Sequence, residues 1–315
     1  MTEPQRGDHA FTASSLKGSA SEPTYSGALS FLRRKYSRDL DGVDIAVTGV
    51  PFDLATTNRP GARFGPQAVR RASAHMAWAQ PWPWPFDPFD KLAVVDTGDC
   101  VFDFGRPETI PDAIEAHAKA IIEQGPSLIT IGGDHFCTYP LLKAHAARHG
   151  PLSLVHFDAH SDTDRDDEGR VDHGTMFFHA AKQGIVVPER SVQIGIRTHQ
   201  DDRQGFNVLD ARWVHQRGPE AVAAEIKRIV GDHKAYFTFD IDCLDPAFAP
   251  GTGTPVPGGL SSFQALEVIR GLVGTRFVGM DIVEVAPAYD ISDITALAAA
   301  TIAAEYLCLR ASERA

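Results

Sequence analysis

Seven short apolar runs rich in β-branched residues, alternating with stretches of helical periodicity, constrain this chain more than any other feature. They are DIAVTGVPF from Asp44, LAVVDTGD from Leu92, SLITIGGDH from Ser127, LSLVHFDAH from Leu152, SVQIGIRT from Ser191, AYFTFDID from Ala235 and FVGMDIVEV from Phe277. A strand with one solvated face alternates apolar and polar residues, whereas near-continuous apolar runs belong to strands covered on both faces. Helices are expected between them. Residues 111–124 open on Pro111 and stop before Gly125, Pro219–Val230 stops before Gly231, and Ser261 begins a Ser-x-x-Gln capping box with Gln264. Strand–helix alternation of this kind predicts an α/β fold: a three-layer α/β/α domain around a mainly parallel central sheet. Residues 29–315 contain neither an internal repeat nor a Gly/Ser linker, so a single domain is expected. Residues 1–28, rich in Ser, Thr, Gly and Ala without an apolar period, are predicted to form a mobile arm. The run PWPWPFDPF at 81–89 is expected to be a proline-stiffened packed or interface loop.

Charge and hydropathy exclude several function classes. With 41 acids against 30 bases the net charge is −11 and no Lys/Arg block breaks it, so no nucleic-acid partner is expected. The first 30 residues hold no apolar leader, and the apolar uncharged stretch 294–304 is too short to span a bilayer, so no membrane partner is expected. Cys100, Cys137, Cys243 and Cys308 match neither a zinc knuckle nor a dense disulfide framework, which points to a reducing, cytoplasmic setting.

The chemistry lies just past the apolar runs. After 152–157 come Asp158, His160 and Asp162, spaced i, i+2, i+4, which an extended backbone points to one side. Asp240 and Asp242 share the same parity after 236–239, and the run 127–131 passes through Gly132 and Gly133 to Asp134 and His135. One Asp-x-His-x-Asp alone is as readily a turn acid beside a histidine. Three such segments at strand ends aim at one crevice, because ligands of open α/β sheets bind outside the carboxyl ends of the strands. No Lys or Arg within the clusters neutralises Asp158, Asp162, Asp240 and Asp242, so cations are required. Six donors exceed what one catalytic ion takes, whereas two ions about 3.5–4 Å apart would use all of them. Two divalent ions per chain are therefore expected. Oxygen-rich ligation with one imidazole each favours Mn²⁺, with Ni²⁺, Co²⁺ or Zn²⁺ as substitutes. Cys137 and Cys243 read as buried small hydrophobes.

These residues resemble the ureohydrolase family of arginases, agmatinases and related guanidine hydrolases. The likeness runs from about Phe31 to the end through GVPFD and RFGP, GGDH at 132–135, DAHSD at 158–162, DHGTMF at 172–177, TFDIDCLDPAFAPGTGTP at 238–255 and GMDIVEVAPAYD at 279–290. DHGTMF and DPAFAPGTGTP are most similar to the agmatinase branch. The resemblance implies an arginase-like fold, a homotrimer or homohexamer, and a small cationic guanidine substrate, with agmatine and water giving putrescine, a polyamine precursor, and urea. It implies one ion on His135, Asp158, Asp162 and Asp240 and another on His160, Asp158, Asp240 and Asp242, with Asp158 and Asp240 bridging. It also implies that the ions activate water for attack on the guanidinium carbon, that Asp162 carries a proton, that Glu284 holds the guanidinium and that His173 transfers protons near the substrate.

The loop 163–172 should read the substrate's tail, and Asp164, Arg165, Asp172, His173 and Glu284 are the expected substrate-binding residues. Its five acids against Arg165 and Arg170 favour a cationic amine. An inward-turned arginine would instead favour a carboxylate tail such as that of 4-guanidinobutyrate, and another guanidine or biguanide substrate stays open. Two further alternatives are a single-zinc deacetylase of related fold and a non-catalytic assembly or regulatory subunit that keeps the fold.

Overall fold

The computed structural model describes residues 7–19, 22–200 and 202–314. At its centre lies a nine-stranded sheet: β1 Lys35–Tyr36, β2 Ile45–Gly49, β3 Val94–Asp99, β4 Ser127–Ile131, β5 Ser153–Phe157, β6 Val192–Ile194, β7 Asn207–Leu209, β8 Ala235–Asp240 and β9 Phe277–Val283. The strands lie in the order β1-β3-β2-β4-β9-β8-β5-β6-β7. Every neighbouring pair is parallel. All seven apolar runs form strands of this sheet, and the two strands absent from the sequence reading are its edges. An edge strand lacks a neighbour on one side and need not be apolar on both faces; Lys35–Tyr36 is half-exposed throughout and Asn207–Leu209 for two of its three residues.

Side-chain alternation divides the sheet between two cores. Ile45, Val47, Ile129, Val155, Phe157, Phe237, Phe239 and Ile282 pack with the helices Gly65–Ser73, Pro219–Val230, Ser262–Arg270 and Ile294–Ser312 on one face. Ala46, Leu128, Leu154, Tyr236 and Val283 pack with Ile110–Ile122, Thr138–His149 and Met176–Lys182 on the other. The result is the three-layer α/β/α architecture. The helix Ile294–Ser312 is 19 residues long and apolar enough to cross a bilayer, but 72% of its most apolar window is buried inside the protein. It is a core helix. Ser261 caps its helix with the reciprocal Gln264 bonds that the sequence predicts.

The described part of the N-terminal segment lies against the rest of the domain. Arg33 and Arg34, both buried, reach back to it: Arg33 Nη1 lies 3.3 Å from Glu22, Arg33 Nη2 donates to Pro23 and Ser26 carbonyls, and Arg34 Nη1 donates to Gly18 O at 2.7 Å. Gly18 N donates to Phe89 O, and Phe11 stacks on Tyr36. These contacts are largely backbone carbonyls meeting guanidinium groups, which leave no apolar period to read. Residues 1–6, 20 and 21, also assigned to the arm, lie outside the described residues. The 81–89 loop is packed as expected: Trp84 Nε1 donates to Glu305 at 2.6 Å and Phe89 lies beneath the Arg34 guanidinium.

After β4 the chain skips two places to β5, and β9 and β8 later fill the gap. A crevice therefore opens beyond the carboxyl ends of β4, β9, β8 and β5, where strand order switches. Gly133, just past β4, allows the backbone to pass against the next turn: a Cβ there would lie 1.7 Å from Phe52 O. Gly133→Ala should cost about 3 kcal/mol, measured by chemical denaturation of the metal-free protein; a loss below about 1 kcal/mol would mean that this approach does not set the turn.

Candidate metal centre

Each of the four strands around the crevice delivers one part of the centre. His135 follows β4 on a short 3₁₀ turn, His135–Cys137, whose N-cap Asp134 accepts Phe136 N–H at 3.0 Å. The other oxygen of Asp134 accepts Ala55 N–H at 2.9 Å, tying the loop after β2 to the histidine turn. Asp134 thus caps the turn and fixes where His135 leaves it. Asp158, His160 and Asp162 leave β5; Asp240 ends β8 and Asp242 follows it; Glu284 follows β9.

Two groups of donors meet there. His135 Nδ1 lies 3.0 Å from Asp158 Oδ2, 3.0 Å from Asp162 Oδ2 and 3.3 Å from Asp240 Oδ2. His160 Nδ1 lies 3.3 Å from Asp158 Oδ1 and 3.1 Å from Asp242 Oδ2. Asp158 thus turns one oxygen to each group. Asp240 reaches the first group through Oδ2, while its Oδ1 accepts the Asp242 N–H at 2.8 Å. Asp240 therefore lies between the His135 group and the turn that carries Asp242.

Asp158, Asp162, Asp240 and Asp242 are all buried, and Arg165 and Arg170, the arginines at the cavity, have their side chains mostly in solvent. The protons show the strain of this arrangement. Burial lifts the Asp240 carboxyl well above its ordinary range, with Asp242 and Asp158 adding to the shift; burial and Asp158 likewise raise Asp242. Against burial, His156, His135 and His160 hold Asp158 well below the carboxylate range. Burial opposes charge on the histidines, but the carboxylates outweigh it, raising His135 well above the imidazole value and His160 to about 12. His135 Nδ1 is nevertheless a buried atom without a hydrogen-bond partner among the described residues. A nitrogen surrounded by three carboxylate oxygens, none in hydrogen-bond alignment with it, fits a cation placed among them, as does the N/O donor set.

Several contributors escape the sequence reading. His156 Nε2 donates to Asp158 Oδ2 at 2.8 Å, because its Nδ1 is taken by Gln193 at 3.2 Å. Its signal is the parity of 156, 158, 160 and 162. Thr254 Oγ1 donates to Asp242 Oδ2 at 3.1 Å, and Thr238 Oγ1 lies 2.9 Å from His135 Nε2. The Arg197 guanidinium gathers the carbonyls of Asp242, Cys243, Leu244 and Val256, holding the turn that carries Asp242. Thr57, on the loop after β2, lies 3.0 Å from His173 Nε2.

A cavity of about 480 Å³ opens onto the groups, and all the sequence-predicted substrate residues line it. Glu284 Oε1 accepts the His135 N–H at 2.9 Å and lies 3.5 Å from His173 Nδ1. Although burial opposes its charge, Glu284 raises His173 to about 9. Asp162 and Glu284 have φ of 53° and 63°, a left-handed conformation costing about 1–3 kcal/mol each. The loop residues are mostly turned to one another: Arg165 pairs with Asp167 at 2.9 Å, and Asp172 accepts the Gly174 N–H and lies 3.4 Å from Arg170. Asp164 donates its N–H to Gly174 O.

The sequence matches the arginase-family model over residues 43–308. The chain belongs to the arginase family. It is 57% identical over 310 residues to an agmatinase of Chromobacterium violaceum, covering 98% of this chain and 96% of that one. A hypothetical agmatinase of Burkholderia thailandensis, solved by crystallography, superposes with a TM-score of 0.96 at 59% identity and 98% coverage of both chains. The proclavaminate amidino hydrolase of Streptomyces clavuligerus superposes with a TM-score of 0.87 at 39% identity, over 92% of this chain and 99% of that one. The family implies a binuclear divalent-metal site, and the two donor groups offer it ligands.

Because the surrounding carboxylates raise both His135 and His160 above the ordinary imidazole value, ligation competes with protons for these nitrogens. Binding of two ions should release at least about one proton each near pH 7, and affinity should fall as pH falls. Calorimetry in buffers of different ionisation enthalpy reads this; metal uptake without proton release would remove both histidines from the ligand set.

Proposed function

We propose that the protein is an agmatinase, a two-manganese hydrolase that converts agmatine and water to putrescine and urea. The observation that carries this reading is the cavity in which Glu284 and His173 face the two donor groups, in a chain more than half identical to agmatinases over nearly its full length. Its proposed ligands are His135, Asp158, Asp162 and Asp240 for one cation and His160, Asp158, Asp240 and Asp242 for the other. When bound, the cations lower the pKa of water and so supply a nucleophile at neutral pH. Nitrogen–oxygen ligation without thiolate favours Mn²⁺.

The chain's own residues supply the rest. Glu284 is buried with one oxygen committed to His135 N–H, and Gly253 keeps the space beside the other open, since a Cβ there would lie 3.2 Å from Oε2. That carboxylate orients a guanidinium by charged hydrogen bonds. Asp162 carries the proton released in the attack to the leaving nitrogen. His173, protonated below about pH 9, gives that nitrogen a second proton and regains it from solvent. The product leaves as an ammonium ion. The arginines of the 163–172 loop are paired with its acids and turned outward, so neither is set to receive a carboxylate tail; this favours the amine of agmatine over 4-guanidinobutyrate.

All four cysteines are buried and free, which supports a cytoplasmic setting. A homotrimer or homohexamer is the proposed assembly, readable by light scattering.

Urea release from agmatine, 4-guanidinobutyrate, arginine and guanidine should show agmatine as the best substrate of the Mn²⁺-loaded protein; preference for any other rejects the specificity. His173→Asn should lower kcat about 10²-fold or more with little change in KM. In the unaltered protein kcat should decline as pH rises through about 9, where the acid form of His173 is lost, and the variant should lack that decline.

A further inference from the structure

Beneath the centre, on the face of the sheet that carries Tyr236, a second carboxylate lies at a distance from the cavity. Asp281, in the middle of β9, is fully buried and lines no part of the site. It is the register partner of Thr238 on β8. Three hydroxyls converge on it: Thr238 Oγ1 donates to Oδ1 at 2.5 Å, and Tyr236 Oη and Thr138 Oγ1 each donate to Oδ2 at 2.9 Å. No cationic side chain among the described residues pairs with Asp281, so these donors are what make the buried carboxylate tolerable.

Proton counting gives the arrangement a direction. A threonine hydroxyl has one proton, and Thr238 spends it on Asp281. Its lone pairs are then all it can offer to His135 Nε2, 2.9 Å away, so Nε2 must be the nitrogen that carries hydrogen. In the neutral, ligating imidazole that leaves the lone pair on Nδ1, the atom among Asp158, Asp162 and Asp240. We propose that Asp281 is a positioning residue that acts through Thr238 to set the His135 tautomer, and that it thereby governs retention of the cation on the His135 side and not of the one on the His160 side. His160 provides the contrast, because its Nδ1 group includes neither Thr238 nor Asp281.

The inference rests on the two-cation reading and is independent of the substrate. Asp281→Asn keeps the shape but presents an amide that can donate to Thr238, freeing the threonine proton to point at His135 Nε2 and favour hydrogen on Nδ1. Thr238→Val removes the link, whereas Thr238→Ser keeps it. Mn²⁺ titration of the full chain, followed by electron paramagnetic resonance of the free ion, should give two sites in the unaltered protein and in Thr238→Ser. In Asp281→Asn and Thr238→Val, one site should weaken by about 10- to 100-fold and the other keep its affinity. Exhaustive dialysis should then leave one ion per chain instead of two. Two undiminished sites, or equal weakening of both, would overturn the proposal, the second because a general loosening of the sheet has no reason to spare His160. Should Asp281→Asn fail to fold by circular dichroism, the Val/Ser contrast at Thr238, which leaves the Asp281 charge in place, decides in the same terms; should Thr238→Val fail, Asp281→Asn decides. Fewer than two sites in the unaltered protein would instead overturn the binuclear centre itself.

Discussion

Four carboxylates, Asp158, Asp162, Asp240 and Asp242, are buried with only imidazoles among them, and the protein is organised around that fact. A buried anion without a counter-charge is expensive enough that a fold either protonates it or brings a cation to it. Here the metal-free chain shows that conflict in its titrating groups: burial and neighbouring acids raise Asp240 and Asp242 above the carboxylate range, the carboxylates raise His135 and His160 above the imidazole value, and the histidines hold Asp158 below its ordinary range. Divalent ions held by these residues would supply the missing counter-charge and turn the repulsion into ligation. The polar features around the centre answer the need to hold that cluster in one geometry: His156 behind Asp158, Thr238 behind His135, Thr254 beside Asp242, and Arg197 clasping the backbone of the Asp242 turn.

The parallel sheet is what permits such a concentration. Its strands all end on the same side, so β4, β9, β8 and β5, adjacent in space though distant in sequence, release their acids and histidines into a common crevice. Alternation along β8 gives Ala235, Phe237 and Phe239 to one core and sets Tyr236, Thr238 and Asp240 on the opposite face, so a polar stripe runs up one face of an otherwise apolar sheet. Strain appears where the chain turns away from it. Asp162 and Glu284, both in left-handed backbone conformations, are held there by hydrogen bonds to Phe177 N–H and Gly133 O. Such strain is sustained only when the surroundings over-determine the geometry, as a catalytic constellation requires.

The interior of the fold is legible in the sequence for the reason that the edges are not. A strand covered on both faces must be apolar at successive positions, and that demand is visible in a linear sequence; Lys35–Tyr36 and Asn207–Leu209 meet no such demand. The contacts of the N-terminal segment are hidden because Arg33 and Arg34 meet it at its carbonyls, which every residue has. The metal donors are legible because acids and histidines immediately after apolar runs are rare and share a parity. Thr57, Thr238 and Asp281 are not, since a hydroxyl or a lone acid carries no pattern and acquires its role only from the neighbour the fold places 2.5–3.0 Å away.

The α/β architecture, the positions of the acids and imidazoles, and the need for cations are thus written in the amino-acid order, because hydrophobic periodicity and net charge are properties of the chain that survive in any conformation. Folding settled the rest: which oxygen of Asp158 faces which histidine, which nitrogen of His135 is left for a metal, and that the arginines of the 163–172 loop turn outward to their own acids. Those are matters of direction at the scale of one hydrogen bond, and direction is fixed only once strands from distant parts of the chain lie side by side.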